Sequence, residues 1–275
     1  MAYETIQVEP LTPRIGAEIS GVDLSQPLGN QTFQEIHDAL MDHLVVFFRD
    51  QEMTIEQHKD FGRLFGELHI HPGSPPPHGH PEVLVIHADE NSKYVAGGNW
   101  HSDVTCDEEP PMGSVLHIHE IPEPGGDTLF ASMYAAYDAL SDTMKAFLDP
   151  LTAIHDGEHV YRGRYADRGV DDTGKDYPNA EHPVIRTHPV TGRKGIFVNT
   201  AFTTRIKQVT RRESDALMAY LCEHATRPEF QCRFHWRPNS VAFWDNRCVQ
   251  HHAMWDYYPQ VRSGLRVTIK GDRPF

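Results

Sequence analysis

Residues 240–251 read SVAFWDNRCVQH, which predicts a buried β-strand over 240–245 and then a turn that presents His251 at its lip. Other short runs of strand character are separated by turn residues and do not alternate regularly with helices; they are LVVFF (44–48), EVLVIH (82–87), SVLHIHEI (114–121), GIFVN (195–199), FQCRFHW (230–236) and LRVTIKG (265–271). Such strands favour an antiparallel sandwich or barrel over a doubly wound sheet. The chain is therefore predicted to be mostly β, a jelly roll with flanking helices and a pocket at its open end.

Three helices are expected to pack outside this jelly roll. Asn30 is positioned to cap a helix whose apolar stripe consists of Phe33, Ile36, Leu40 and Leu44. Two capping-box patterns predict the other helices, one at Thr54 with Gln57 and one at Thr210 with Glu213. No internal repeat or linker-like stretch divides the sequence, which indicates one domain over residues 1–275.

The composition is that of a globular enzyme with an acidic surface. Of the 275 residues, 39% are hydrophobic and 10% are aromatic, so a sizeable core can form. Lys and Arg total 25 against 39 Asp and Glu, a net charge of −14 that argues against nucleic acid or an anionic membrane as the partner. An anionic small molecule would therefore need a local basic pocket.

Targeting and redox features indicate a cytoplasmic protein. The segment MAYETIQVEPLTPRIGAEI has no basic region followed by an apolar core, and no run approaches the ~18 to 20 apolar residues that span a bilayer. The 4 cysteines are widely spaced without a CxxC pair, which favours reduced thiols over a zinc site or a disulfide framework. Several of the 19 histidines lie in LHIHPGSPPPHGHP (68–81), where prolines and glycines predict a loop.

Two metal-ligating residue types lie two positions apart in WHSDVTC (100–106). In a β-strand alternate side chains share a face, so His101 and Asp103 would project together. Such a pair occurs by chance in many proteins, and His251 is the third donor that would make it a site. Two histidines and one carboxylate leave three coordination positions open, as in non-haem Fe(II) oxygenases. The neighbouring His252 would point elsewhere in extended geometry.

Two other classes of protein are compatible with these residue types. A metal-dependent hydrolase could use the same ligands, although the H-E-x-x-H helix typical of metalloproteases is absent. In a non-catalytic jelly roll that binds a small molecule, the His and Asp residues would be incidental.

Two arginines near the C-terminus favour the oxygenase. In the strand LRVTIK, Arg266 and Thr268 share one face, so a guanidinium can point at the same interior as the metal. With Arg262 four residues earlier, the sequence offers two guanidinium groups of the kind that bind carboxylates or sulfonates. The alternative is a pair of surface arginines on a solvated strand face.

The sequence resembles the taurine/2,4-dichlorophenoxyacetate dioxygenase family in motifs spread over nearly the whole chain. These are FGELHIHP (65–72), NWHSDVT (99–105), GGDTLF (125–130), THPVTGRKGIFVN (187–199), FTTRI (202–206), WDNRCVQH (244–251) and the terminal RVTIKGDRPF. The resemblance implies a double-stranded β-helix, Fe(II) as the metal, and 2-oxoglutarate and O2 as co-substrates. It also implies a homo-oligomer, because dimers and tetramers are common in the family.

Position within these motifs implies three groups of site residues. They are the iron ligands His101, Asp103 and His251, the 2-oxoglutarate-binding residues Thr128 and Arg262, and the substrate contacts His71, Arg266 and the backbone at Val104. The expected activity is hydroxylation of a small anionic organic substrate, which is a sulfonate, a sulfate ester or an aryloxyalkanoate. Cleavage of a C–S or C–O bond is expected to follow, with succinate and CO2 as the other products.

Differences from the taurine-cleaving members, which the chain resembles most, concentrate around the substrate. Ser74, Gly97, Cys106 and Gly157 stand where those members carry larger or amide side chains. We therefore expect a roomier pocket, lined also by Phe202, that has lost the polar contacts suited to the amine end of taurine.

Overall fold

Fifteen strands and six α-helices are present among the residues that the computed structural model describes, 3–166 and 169–275. The strands are β1 (Gln7–Pro10), β2 (Ala17–Ser20), β3 (Val45–Phe48), β4 (Val83–Ala88), β5 (Gly113–Glu120), β6 (Thr128–Ser132), β7 (Thr152–Asp156), β8 (Asn179–Pro183), β9 (Ile185–Thr187), β10 (Lys194–Ile196), β11 (Thr203–Ile206), β12 (Gln231–Phe234), β13 (Ser240–Asp245), β14 (Val249–Ala253) and β15 (Arg262–Ile269). The helices are α1 (Asn30–His43), α2 (Ile55–Arg63), α3 (Met133–Asp138), α4 (Asp142–Leu148), α5 (Glu158–Tyr161) and α6 (Arg211–Ala225). None of these described helices is long and apolar enough to cross a membrane.

The largest sheet has seven strands in the order β1-β2-β3-β13-β5-β15-β4. Its neighbouring strands run antiparallel except for the parallel pair β2 and β3. Strand β13 is buried at every residue because both faces of the sheet are covered. Its Ala242 and Trp244 belong to the inner core, while Val241 and Phe243 belong to the outer one. This alternation follows from the two-residue period of a strand.

A three-stranded sheet, β12-β6-β14, faces the inner side of the seven-stranded sheet. Its Phe130, Phe234 and Val249 share one buried cluster with Phe47 and Trp244 of the larger sheet. The rings of Phe47 and Phe234 stack with their centroids 3.9 Å apart. Two antiparallel sheets closed on one core form the predicted jelly roll, so the prediction of the fold is confirmed.

Helices α1 and α2 cover the outer face of the seven-stranded sheet. Ile36 and Leu40 of α1 and Phe61 of α2 are buried in the cluster that contains Val241 and Phe243. Burying this second face explains why the run at 44–48 is apolar without alternation.

Helix starts show where local sequence decides structure. Both predicted capping boxes are present, with Thr54 accepting from the backbone N–H of Gln57 and Thr210 accepting from that of Glu213. The predicted cap at Asn30 is wrong, since Asn30 is the first helical residue and the preceding glycine is the N-cap.

Two smaller sheets, β11-β7-β8 and β10-β9, lie beside the jelly roll. They share a buried cluster with α3 and α6 that includes Ala153, Ile196 and Leu221. The strand predicted over 195–199 is shorter than expected, because β10 ends at Ile196.

Candidate active site

The two candidate histidine ligands are paired through the backbone. His251 lies within strand β14 and not in the turn that the sequence predicted. His101 forms an isolated antiparallel bridge with it, in which each backbone N–H donates to the other residue's carbonyl, at 3.1 and 2.8 Å. The bridge sets the imidazoles side by side, with ring centroids 4.1 Å apart.

Asp103 reaches the same point by a different route from the predicted one. The expected strand through His101 and Asp103 is wrong, because the chain turns at Asp103 and Val104 takes a φ of +47°. The turn nevertheless brings Asp103 Oδ1 to 3.6 Å from His101 Nε2 and 4.0 Å from His251 Nε2. All three residues are buried, and their ligand atoms lie within 4.8 Å of one another.

The protonation states in this triad suit a divalent cation. Burial raises the pKa of Asp103, but Arg266 and His251 outweigh it and hold the pKa well below its ordinary value. Burial keeps the pKa of His251 well below its ordinary value, so that imidazole is neutral. His101 Nδ1 lies 2.7 Å from the carbonyl of Asn99, which assigns the proton to Nδ1 and leaves Nε2 as a donor to metal. Two imidazoles and a carboxylate fit Fe(II).

Buried polar side chains hold the carboxylate of Asp103 in place by hydrogen bonds. Ser114 Oγ donates to Asp103 Oδ2 at 2.7 Å, and Asn246 Nδ2 donates to Ser114 Oγ at 2.9 Å. Asn246 Oδ1 accepts from the backbone N–H of Asp103 at 3.1 Å and from Trp244 Nε1 at 2.9 Å. The sequence analysis missed Ser114 and Asn246. The only feature of the sequence that could have indicated them is that each is a polar residue inside or directly after an otherwise apolar strand.

Arg262 is a buried cation at the first position of β15. Its Nε donates to the carbonyl of Gly126 at 3.1 Å, and its Nη2 lies 3.5 Å from Thr128 Oγ1. Thr128 Oγ1 also accepts from Trp236 Nε1 at 3.0 Å. Among the described residues no carboxylate forms an ion pair with Arg262, and burial lowers its pKa. Asp127 stabilises the charge of Arg262 without forming an ion pair with it, and a desolvated guanidinium in this setting suits a ligand carboxylate.

Arg266 lies four residues further along β15, next to the triad. Its Nη1 donates to Asp103 Oδ1 at 2.6 Å. His71 stands nearby, and burial together with the positive charge of Arg266 lowers its pKa to about 3. Its Nδ1 accepts from the backbone N–H groups of Gly73 and Ser74 at 3.1 and 2.9 Å, so the neutral ring carries its proton on Nε2.

These groups face one cavity of about 420 Å³. Ten of the twelve site residues predicted from the sequence line it, namely His71, Gly97, His101, Asp103, Val104, Thr128, Phe202, His251, Arg262 and Arg266. The lining that the sequence analysis missed is mostly apolar or aromatic and includes Leu84, Ile86, Tyr94, Val160, Tyr161 and Trp255. The cavity therefore joins a polar end at the triad to an apolar wall.

The remaining predicted residues lie behind the cavity lining. Ser74 is buried and supports His71 through its backbone N–H. Cys106 is buried against Gly157, where a Cβ on the glycine would lie 3.0 Å from the thiol sulfur. Small residues here relieve crowding between two segments, and neither of them lines the cavity. Gly97 does border the cavity, and a Cβ there would lie 3.2 Å from His101 Cε1.

A second group of possible metal ligands consists of His188, Asp245 and Cys248. Arg247 occupies both oxygens of the Asp245 carboxylate, at 2.8 and 2.6 Å, and His188 Nε2 lies 3.0 Å from Oδ2. These contacts make the group a buried ion-pair network that fastens the turn after β13.

Fold and site together define an oxygenase of the jelly-roll class that uses Fe(II) and 2-oxoglutarate. The chain matches the family described as Taurine catabolism dioxygenase TauD, TfdA family over residues 7–268, and it belongs to that family. It is thus an Fe(II)- and 2-oxoglutarate-dependent oxidoreductase that consumes O2, as the resemblance implied.

Relatives with named activities cover almost all of the chain. An alkylsulfatase of Acinetobacter baylyi is 37% identical over 98% of this chain and 86% of its own length. An alpha-ketoglutarate-dependent sulfate ester dioxygenase of Pseudomonas putida is 36% identical over 98% of this chain and 91% of its own. The crystal structure of a taurine dioxygenase from Burkholderia xenovorans is 40% identical, with a TM-score of 0.85 over 98% of this chain and 93% of that one.

Proposed function

We propose that this dioxygenase hydroxylates a sulfonate or sulfate ester with an apolar body, at the carbon that bears the S or O atom. The observation that carries the proposal is that Arg266 and neutral His71 lie beside the triad, in a cavity whose other lining is mostly apolar or aromatic. The relatives named for sulfate esters and alkyl sulfates point to the same substrates. One O2 and one 2-oxoglutarate would give succinate, CO2 and a hydroxylated substrate, which then releases sulfite or sulfate and an aldehyde or ketone.

His101, Asp103 and His251 are the proposed Fe(II) ligands. Fe(II) held there supplies the activation of O2 that couples decarboxylation of 2-oxoglutarate to hydroxylation. The protein orients this site, because Asn99 fixes the tautomer of His101 and Ser114 fixes the second oxygen of Asp103.

Each of the two guanidinium groups is proposed to bind one of the two anions, 2-oxoglutarate or the substrate. Arg262, supported by Thr128, is proposed to bind the distal carboxylate of 2-oxoglutarate, because it is buried and forms no ion pair with any described carboxylate. Arg266, the Nε2–H of His71 and the backbone at Val104, all in the lining of the cavity, are proposed to bind the substrate anion. Charge-assisted contacts in a desolvated site give both affinity and orientation.

Apolar walls favour a longer substrate than taurine. Leu84, Ile86, Val160, Phe202 and Trp255 line the cavity and suit an alkyl or aryl chain. Asp103 is the only carboxylate among the described lining residues, and it belongs to the triad. The ammonium group of taurine would be desolvated there without a counter-charge, which is costly.

Succinate formation tests the proposal directly. Purified protein with Fe(II), ascorbate, O2 and 2-oxoglutarate is given hexyl sulfate, hexane-1-sulfonate, taurine or 2,4-dichlorophenoxyacetate. Succinate should rise most with the first two and vanish in His101→Ala, while His119→Ala, an exposed histidine on β5, should behave as wild type.

Two outcomes would contradict the proposed substrate class. Stimulation by 2,4-dichlorophenoxyacetate alone would indicate that the substrate is an aryloxyalkanoate. Release of sulfate from hexyl sulfate in an anaerobic control would indicate hydrolysis.

Further expectations concern the whole molecule. We infer that residues 1–275 act as one domain, as the family match over 7–268 supports. The expected dimer or tetramer stays a prediction, which light scattering after size-exclusion chromatography would test. The cytoplasmic location also stays a prediction, and cell fractionation would test it.

A further inference from the structure

Both oxygens of the Asp103 carboxylate are engaged by protein donors. Ser114 Oγ donates to Oδ2 at 2.7 Å, while Arg266 Nη1 donates to Oδ1 at 2.6 Å. Oδ1 is also the oxygen that faces the imidazoles, at 3.6 Å from His101 Nε2 and 4.0 Å from His251 Nε2. The guanidinium therefore contacts the oxygen that a metal in the triad would use.

Arg266 has no second carboxylate to pair with. In the described part of the chain Asp103 is its one ion-pair partner, and Arg266 is only 7% exposed. The Nε of Arg266 is buried without a hydrogen-bond partner in the same part of the chain. One guanidinium thus holds the metal ligand, and the same residue lines the cavity where the substrate anion is proposed to bind.

We propose that Arg266 couples the substrate site to the metal site by exchanging Asp103 for the substrate anion as its partner. This inference rests on the proposed function, which assigns the anion to Arg266. While Arg266 is paired with Asp103, it withdraws negative charge from Oδ1 and places a positive charge beside the metal position. Both effects lower the affinity of the triad for a divalent cation.

An anion bound to Arg266 reverses these effects. It competes for the guanidinium, returns Oδ1 to the metal and neutralises the adjacent positive charge. Linkage requires reciprocity, so the metal must raise the affinity for the anion by the same factor that the anion raises the affinity for the metal. Metal retention and substrate binding would then favour each other.

Mn(II) binding measures the coupling without any turnover. Unbound Mn(II) is quantified by electron paramagnetic resonance in the absence of 2-oxoglutarate, with hexane-1-sulfonate as the anionic probe. Arg266→Met should bind Mn(II) about 5-fold tighter than wild type, or more, since couplings of this kind span about 5- to 150-fold. The sulfonate should tighten Mn(II) binding to wild type by a similar factor and leave Arg266→Met unchanged.

Two variants serve as matched controls. Ser114→Ala removes the other donor to the same carboxylate without removing a positive charge, so it should bind Mn(II) no tighter than wild type and keep the sulfonate effect. Arg262→Met removes a buried guanidinium from the same cavity that does not touch Asp103, and it should also keep the sulfonate effect.

The outcomes separate this inference from the proposed function. If wild type binds Mn(II) no better than His101→Ala, the metal site fails and the coupling fails with it. If binding depends on His101 but Arg266→Met stays within about twofold of wild type, only the coupling is overturned. Should Arg266→Met fail to fold, Arg266→Gln removes the charge but keeps an N–H donor for Asp103. An unchanged sulfonate effect in that variant would overturn the exchange of partners.

Discussion

Replacing Arg262 with Met tests whether this buried guanidinium binds a ligand or stabilises the fold. Arg262 is 2% exposed, and none of the described carboxylates forms an ion pair with it. Its contacts are the carbonyl of Gly126 at 3.1 Å and the hydroxyl of Thr128 at 3.5 Å. These neutral partners do not offset the cost of burying a full positive charge.

Two effects of different size are expected from Arg262→Met. Losing a hydrogen bond costs about 1 kcal/mol, and removing a buried charge that has no ion-pair partner among the described residues offsets this loss, so the free energy of unfolding should stay within about 1 kcal/mol of wild type. The contact with the distal carboxylate of 2-oxoglutarate is worth roughly 2 to 5 kcal/mol. Its loss should raise the dissociation constant of 2-oxoglutarate by about 30-fold to about 4000-fold.

Urea unfolding of the metal-free protein, followed by tryptophan fluorescence, measures the first effect. Calorimetric titration of 2-oxoglutarate into the Mn(II)-loaded protein measures the second. Arg266→Met is the matched comparison, because it strands the buried carboxylate of Asp103 and should cost about 3 to 5 kcal/mol of stability. The reasoning is refuted if Arg262→Met loses about 3 kcal/mol or binds 2-oxoglutarate within about threefold of wild type.

Three further substitutions, with a control for one of them, test local features of the site and the fold. Burial lowers the pKa of His58 from 6.5 to about 3, so the unfolded chain alone takes up this proton below pH 6.5. Stability from His58 is lost as the pH falls from 6.5 towards 3, and His58→Gln should flatten that part of a urea stability profile. Gly97→Ala should cost about 1 kcal/mol, because φ is +81°, and should weaken Mn(II) binding by displacing His101. Gly79→Ala, at φ +82° with no neighbour within 4 Å, should show the backbone cost alone. Thr210→Ala should lose about 0.5 to 2 kcal/mol of unfolding free energy, and an unchanged urea midpoint would contradict the capping role.

Sequence patterns predicted correctly those elements that depend on contacts between nearby residues. Strand β13 covers the predicted residues 240–245, because its apolar run and the turn residues after it leave no competing structure. The capping boxes at Thr54 and Thr210 depend on contacts three residues apart, which the sequence displays directly. The cap at Asn30 was misplaced by one position, a distance over which helix ends are poorly determined by sequence.

The turn after His101 could not be read from its own sequence. Val104 and Thr105 favour strand, and a β-branched residue at positive φ is uncommon. Tertiary contacts impose the turn, because the N–H of Asp103 is held by Asn246 and His101 is bridged to His251. Such strain is typical of positions that aim a functional group.

The contact between Arg266 and Asp103 was equally hidden, since the two residues are 163 positions apart. The strand period predicted that Arg266 faces the interior, and this is confirmed by its burial. It could not predict the partner, which depends on where the turn places Asp103. Long-range pairing of charged groups is a property of the assembled fold.

The buried charges of the cavity indicate how an acidic protein selects an anion. Arg164, which is only partly buried, adds a cation to the described lining, and the buried residues Asp103, Arg262 and Arg266 together carry one net positive charge. A divalent cation at the triad would raise this to three, the 2-oxoglutarate dianion would return it to one, and a monoanionic sulfonate or sulfate ester would bring it to zero. Because uncompensated buried charge is costly, a divalent cation at the triad favours the binding of both anions. The surface charge of −14 does not oppose this selection, because exposed charges are screened beyond about 8 to 10 Å while those in the cavity are not.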